Sequence, residues 1–168
     1  MGQVVQAKGG AVAVKVDETP SQYLTFSLGG EMFAVGILNV KEIIEYGHLT
    51  EIPMMPSFIR GVINLRGIIV PIVDLRIKFN LGKVEYTPFT VVIILNVAGR
   101  VIGAVVDSVS DVISLTPAQI RQAPDFSGTF DTKYIQGLAA IDTRMLIVTD
   151  IERLMTSADM ALIDSAAE

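Results

Sequence analysis

Gly30-Glu31-Met32-Phe33-Ala34, at residues 30–34, is answered at an offset of 69 by Gly99-Arg100-Val101-Ile102-Gly103. The same offset sets Val40-Lys41-Glu42-Ile43-Ile44 against Val109-Ser110-Asp111-Val112-Ile113. Further along the offset becomes 76, where Ile59-Arg60-Gly61-Val62 matches Ile135-Gln136-Gly137-Leu138 and Asp74-Leu75 matches Asp150-Ile151. A seven-residue insertion in the second copy, around residues 122–132, accounts for the change. Two copies are too few for a solenoid, which needs about three repeats to close its core. Two small barrels packed side by side fit better.

The runs inside each copy are β-branched and short, with Gly and Pro between them, which predicts strands. They fall at 23–28, 32–35, 61–65, 68–73, 90–97, 101–106, 109–115, 135–141 and 146–149. Asp74 and Asp150 each follow a strand and precede a short helical pattern, where a carboxylate can accept a hydrogen bond from an orphan backbone N–H. Residues 1–19 read as a flexible arm, 20–86 as the first barrel, 87–155 as the second and 156–168 as a C-terminal helix. A unit of about 60 residues buries only about 60% of its unfolded surface. The 51% hydrophobic composition therefore serves a core shared between the barrels, exposed apolar surface for partners, or both.

Composition excludes several chemistries. Among the 168 residues there is no Cys, no Trp and one His, which removes disulfides, thiolate catalysis and Cys-ligated metals. Thirteen Lys and Arg against 18 Asp and Glu leave a net charge of −5 with no basic run, a poor match to a phosphate backbone. The longest uncharged stretch, residues 86–99, is too short to span a membrane. The start of the chain lacks the pattern of a secretory signal, so a reducing, cytoplasmic setting is expected. Nucleotide-binding, zinc-protease and serine-hydrolase motifs are absent. His48 reads as a surface-loop residue, and Asp107, Asp111, Asp125 and Asp131 lack calcium-loop spacing.

The repeat breaks at Asn64-Leu65-Arg66-Gly67, which faces Ala140-Ile141-Asp142-Thr143 in the other copy. Strand alternation sends Ile63 and Leu65 to the core and Asn64 and Arg66 outward. Arg66 is then either a solvated arginine or a recognition arginine held by a carboxylate such as Glu42. Such an exposed pair adds little stability; specificity is the better reason to have one. Gly36-Ile37-Leu38-Asn39-Val40 is likewise open between core packing and a docking patch.

The stretch from Phe58-Ile59-Arg60-Gly61-Val62-Ile63-Asn64-Leu65-Arg66-Gly67 through Val70-Pro71-Ile72-Val73-Asp74-Leu75 resembles the hallmark segment of the CheW family of chemotaxis coupling proteins. Val105-Val106-Asp107-Ser108-Val109-Ser110-Asp111-Val112 resembles its second signature, and Arg144-Met145-Leu146-Ile147 its last strand pair. Met160-Ala161-Leu162-Ile163-Asp164-Ser165-Ala166-Ala167 is similar to the tail of enterobacterial members. The resemblance runs over roughly residues 20–167.

It implies an all-β fold of two five-stranded SH3-like barrels around a shared core. It also implies a non-enzymatic adaptor without cofactor or metal, joining chemoreceptor tips to the regulatory domain of the histidine kinase CheA. The isolated chain would be a monomer that assembles into rings with CheA; a detached CheA-type regulatory domain or another SH3-like scaffold module is the alternative. Position by position, the resemblance assigns receptor binding to Arg66, Glu42, Val40, Gly61, Val92, Gly103 and Val112. It assigns kinase binding to Leu24, Ile37 and Val40, so Val40 falls in both sets. Gly36 departs from the family, which more often has an acidic residue there.

Overall fold

The computed structural model describes residues 19–97, 99–122, 134–150 and 153. Ten strands follow one another: β1 (Ser21–Leu28), β2 (Glu31–Gly36), β3 (Val40–Glu45), β4 (Ile59–Leu65), β5 (Ile68–Asp74), β6 (Val91–Val97), β7 (Arg100–Val106), β8 (Ser108–Leu115), β9 (Ile135–Ile141) and β10 (Arg144–Thr149). A single-turn helix, α1 (Leu75–Lys78), follows β5, and 3₁₀ turns occupy Ile37–Asn39 and Pro117–Gln119. The strand β3 has no counterpart among the sequence expectations. Lys41, Glu42 and Glu45 interrupt its apolar residues and weaken the strand signal, although its repeat partner was legible as a strand.

The strands form two five-stranded sheets, ordered β9-β10-β2-β1-β8 and β4-β5-β7-β6-β3. Substituting each strand by its repeat partner converts one order into the other. Registers obey the same rule. The parallel pair Val148↔Ala34 between β10 and β2 is the counterpart of Ile72↔Gly103 between β5 and β7. Each sheet is closed towards a barrel by an equivalent antiparallel bridge, Thr50↔Val62 in one and Arg121↔Leu138 in the other. The two-barrel expectation holds.

The expected boundary between residues 86 and 87 does not coincide with the sheets. One sheet takes β1 and β2 from the first copy with β8, β9 and β10 from the second; the other takes β3 to β7. Each copy lends its first hairpin to the other copy's barrel. The chain crosses between sheets twice, at Ile37–Asn39 and at Asp107. The N-terminal arm apart from Thr19, the insertion apart from Gln122, and the C-terminal helix lie outside the described residues.

This exchange explains the apolar composition. A central strand alternates its side chains between two faces, and here both faces are covered. From β6, Ile93 and Leu95 enter the core shared between the sheets, while Val92 and Ile94 fill the interior of their own barrel. Phe33 and Val35 of β2 join the shared core, and Ala34 joins the other barrel's interior. Strands buried on both sides read as continuous Val/Ile runs rather than alternating ones. Each such side chain contributes roughly 1.5–3 kcal/mol on burial, and three cores in one chain offset the weakness of a 60-residue unit.

Asp74 caps α1 as expected, accepting a hydrogen bond from the Arg76 N–H at 3.0 Å. Its counterpart Asp150 accepts from the Arg153 N–H at 3.2 Å.

Gly61 shows how tightly the barrel closes. It sits at the bulge of β4 with φ +148°, and a Cβ there would lie 2.2 Å from the Thr50 carbonyl oxygen. Its partner Gly137 would meet the Arg121 carbonyl oxygen at 2.5 Å. Gly61→Ala should therefore lower the free energy of unfolding by roughly 2 kcal/mol or more. Gly47→Ala, with nothing within 4 Å of its Cβ, should change it by less than about 0.5 kcal/mol. Urea denaturation of the two variants checks this contrast.

Candidate functional site

Leu65↔Ile68 closes the β4–β5 hairpin on the two-residue turn Arg66-Gly67, with φ +53° and +87°. Two positive φ values in succession make the turn that follows the natural strand twist. The Asn64 side chain accepts from the Gly67 N–H at 2.8 Å and secures it. Arg66 is carried to the rim, 68% exposed.

Glu42 arrives from β3. A bulge between Val40 and Glu42 separates their faces: Val40 pairs with Leu95 on the shared-core side, and Glu42 pairs with Ile94 on the barrel-interior side. Glu42 thereby meets the turn. Arg66 Nη1 donates to Glu42 Oε2 and Nη2 to Oε1, both at 2.7 Å, the bidentate fork that fixes orientation as well as charge. This hydrogen-bonding to Arg66 holds the Glu42 carboxyl below its ordinary value, and the same contact raises Arg66.

The other barrel has no such pair. At the equivalent positions stand Asp111 and Asp142; the latter keeps the positive φ of the turn, at +55°. Asp111 instead accepts a hydrogen bond from the buried Thr25 hydroxyl and donates its N–H back to it. The ion pair therefore marks one barrel only.

Beside the pair opens a cavity of about 300 Å³, lined by Ile44, Tyr46, Leu49, Ile63, Leu65 and Val92 among others. The exposed His48 is at its mouth. Behind it, Gly61, Ile72 and Gly103 are register neighbours across β4, β5 and β7. A Cβ on Gly103 would lie 2.7 Å from Val92 and 2.6 Å from Ile72. Of the residues assigned to receptor binding, Arg66 and Glu42 thus form the accessible feature. Gly61, Val92 and Gly103 are buried behind it and shape the wall. Val40 packs against the shared core, and Val112 lies on the opposite sheet, half-exposed and paired with Leu24. The seven positions are not one contiguous surface.

The kinase-assigned set also divides. Leu24 is 4% exposed within the shared core, so it offers almost no surface of its own. Ile37 is half-buried against the same core. The residue that sequence reasoning did not single out is Leu38, 96% exposed on the first crossover. It borders a groove of about 860 Å³ together with Gln22, Tyr23, Ile37, Gln136 and Asp150. A signal existed: the offset of 69 equates Leu38 with Asp107, so a leucine stands where the other copy has a charge.

Among the described residues no group of three or more His, Asp or Glu could hold a metal, and no helix is long and apolar enough to cross a membrane. Fold and site together define a paired SH3-like barrel module whose distinguishing chemistry lies on its outside. A family model described as the CheW-like domain matches residues 22–159. The chemotaxis protein CheW of Klebsiella aerogenes is 53% identical over 147 residues, covering 88% of this chain and 89% of that protein. The chemotaxis protein CheW of Treponema pallidum is 32% identical over 155 residues, covering 89% and 90%. The crystal structure of the scaffolding protein TtCheW from Thermoanaerobacter tengcongensis superposes with a TM-score of 0.76 at 33% identity, covering 84% of this chain and 91% of that one. The chain belongs to the CheW family.

The ion pair sets a pH expectation. Its contribution is present above the ordinary carboxyl value of 4.5 and is lost only as pH falls through the lowered value. An NMR titration of the Glu42 carboxyl should give a midpoint below 4.5, and Arg66→Ala should move it up to the ordinary range. A Glu42 midpoint that ignores Arg66→Ala would show that the two groups do not pair in solution.

Proposed function

We propose that this chain is a non-catalytic cytoplasmic adaptor that couples the tips of membrane chemoreceptors to the regulatory domain of the histidine kinase CheA. The observation that carries this reading is the presence of two separate exposed features on one double barrel. One is the Arg66–Glu42 rim with its adjoining cavity; the other is the Ile37–Leu38 crossover with its groove. An adaptor has to hold two partners at once, and two surfaces on different sheets permit that. Membership of the CheW family supplies the chemotaxis setting.

The receptor tip goes to the Arg66 side. There the charged fork orients a polar partner, and the apolar cavity accepts a side chain from it. Charged rim groups of this kind contribute orientation and partner choice more than raw affinity. The kinase domain goes to the crossover, where Leu38 is the exposed anchor and Ile37 its half-buried neighbour. Contacts that are individually modest become effective once receptors and kinase share one lattice, because the second binding event is then intramolecular. The chain works in the cytoplasm and reaches the inner face of the membrane through the receptors.

Isothermal titration against the CheA regulatory domain and, separately, a receptor-tip fragment tests the assignment. Leu38→Ala should weaken kinase-domain binding by about 2 kcal/mol, roughly 30-fold, and leave receptor binding unchanged. Arg66→Glu should do the reverse, with a melting temperature close to that of the parent chain. Loss of both activities in either variant, or a collapsed melting temperature for Arg66→Glu, would overturn the division of surfaces.

A further inference from the structure

A cluster of charge sits at the second crossover, and none of its charged side chains lines the cavity or the groove described above. Arg76, in α1, is 2% exposed, and Asp74 is fully buried. The guanidinium donates Nε to Asp74 Oδ1 at 3.0 Å, Nη2 to Asp74 Oδ2 at 2.9 Å, and Nη1 both to Asp107 Oδ1 at 2.8 Å and to the Glu85 carbonyl at 2.6 Å. Tyr86 donates its hydroxyl to Asp74 Oδ2 at 2.8 Å, and its ring centroid lies 4.9 Å from the guanidinium carbon. Burial alone would lower the Arg76 value; the bonds to Asp74 and Asp107 more than reverse this and keep it charged. A planar, permanently charged fork is the one side chain that can serve so many acceptors at once.

Asp107 is the hinge of this cluster. It is the single residue between β7 in one sheet and β8 in the other. Its N–H donates to the Ser27 carbonyl at 3.0 Å, and its Oδ2 accepts from the Gly29 N–H at 2.8 Å. Ser27 and Gly29 belong to β1 and the β1–β2 turn, in the other barrel. The carboxylate therefore holds Arg76 of one barrel with one oxygen and the backbone of the other barrel with its second. Glu85 and Tyr86, in the segment that joins the two sequence copies, are strapped to the same guanidinium.

Among the described residues the arrangement occurs once, on a frame that is otherwise repeated. At the offsets of 69 and 76, the counterparts of Gly29, Asp107 and Arg76 are Ala98, Leu38 and Glu152. The first crossover thus has a solvent-facing leucine where the second has the bridging carboxylate. A shared apolar core holds two sheets together without strongly fixing their angle, since hydrophobic attraction is non-directional. Charge-assisted, forked hydrogen bonds do fix direction.

We propose that Arg76 and Asp107 form an inter-barrel clasp that sets the angle between the two barrels, making Asp107 a positioning residue for every surface that spans them. The clasp is intrinsic to the chain and is read without any partner. Because the protein has no cysteine, Lys41→Cys with Ser110→Cys places one spin label on an exposed strand position of each barrel. Dipolar EPR should give a narrow distance distribution in the parent and one at least twofold wider in Asp107→Ala. The Gly29 amide should exchange with deuterium at least tenfold faster in that variant. Asp107→Asn keeps the side-chain shape and is scored by the same two readouts should Asp107→Ala not fold. A lowered melting temperature with unchanged distances and unchanged Gly29 exchange would reduce the cluster to ordinary core stabilisation and overturn the proposal.

Discussion

Neither barrel can be completed without the other, because each copy of the repeat surrenders its first hairpin. β1 and β2 finish the barrel of β8, β9 and β10, while β6 and β7 finish the barrel of β3, β4 and β5. The central strands are consequently covered on both faces, one by the shared core and one by the barrel interior. That constraint dictates the long Val/Ile runs, the high hydrophobic fraction and the tight glycines at Gly61, Gly103 and Gly137, where backbone or side chains leave no room for a Cβ. It also makes the pair of barrels one cooperative object, since exposing either core strips strands from both.

On this repeated frame, the chemistry proposed for recognition sits where the repeat fails. Arg66 faces Asp142 across the offset, Glu42 faces Asp111, and Leu38 faces Asp107. In each case the chemistry differs. At the hairpin turn the backbone is retained as well, with positive φ at both Arg66 and Asp142, but of the two only Arg66 meets a carboxylate. An exposed fork of this kind does little for stability, which is why the proposed role for it is partner choice. The buried charges of Arg76 and Asp74, with the partly exposed Asp107, follow the opposite logic. Removing one partner from such a cluster leaves an uncompensated buried charge, a loss of about 3–5 kcal/mol, and the directional bonds join the two barrels at one crossover.

Much of this was legible in the residues. The offsets of 69 and 76 anticipated most of the equivalent strands and the paired caps, and Arg66 with Glu42 was read as a candidate pair before any geometry. The hairpin exchange was not legible, because a repeat in sequence says which segments are alike and not which of them pair. β3 was missed where Lys41 and Glu42 broke its apolar pattern, the charge needed at the rim being what weakened the strand signal. Leu24, to which the resemblance assigned kinase binding, lies in the shared core at 4% exposure, because likeness position by position carries no information on burial. Arg76 drew no separate reading from the sequence, because one of its charge partners, Asp107, is 31 residues away.

The central claim is that one chain holds two different partners on two faces at the same time. Its most direct measurement is co-sedimentation of the CheA regulatory domain with vesicles carrying receptor tips, with and without this protein. The account predicts that the kinase domain pellets only when the chain is present, with the three components saturating together. Equal pelleting in its absence, or displacement of the kinase domain as receptor is added, would contradict it.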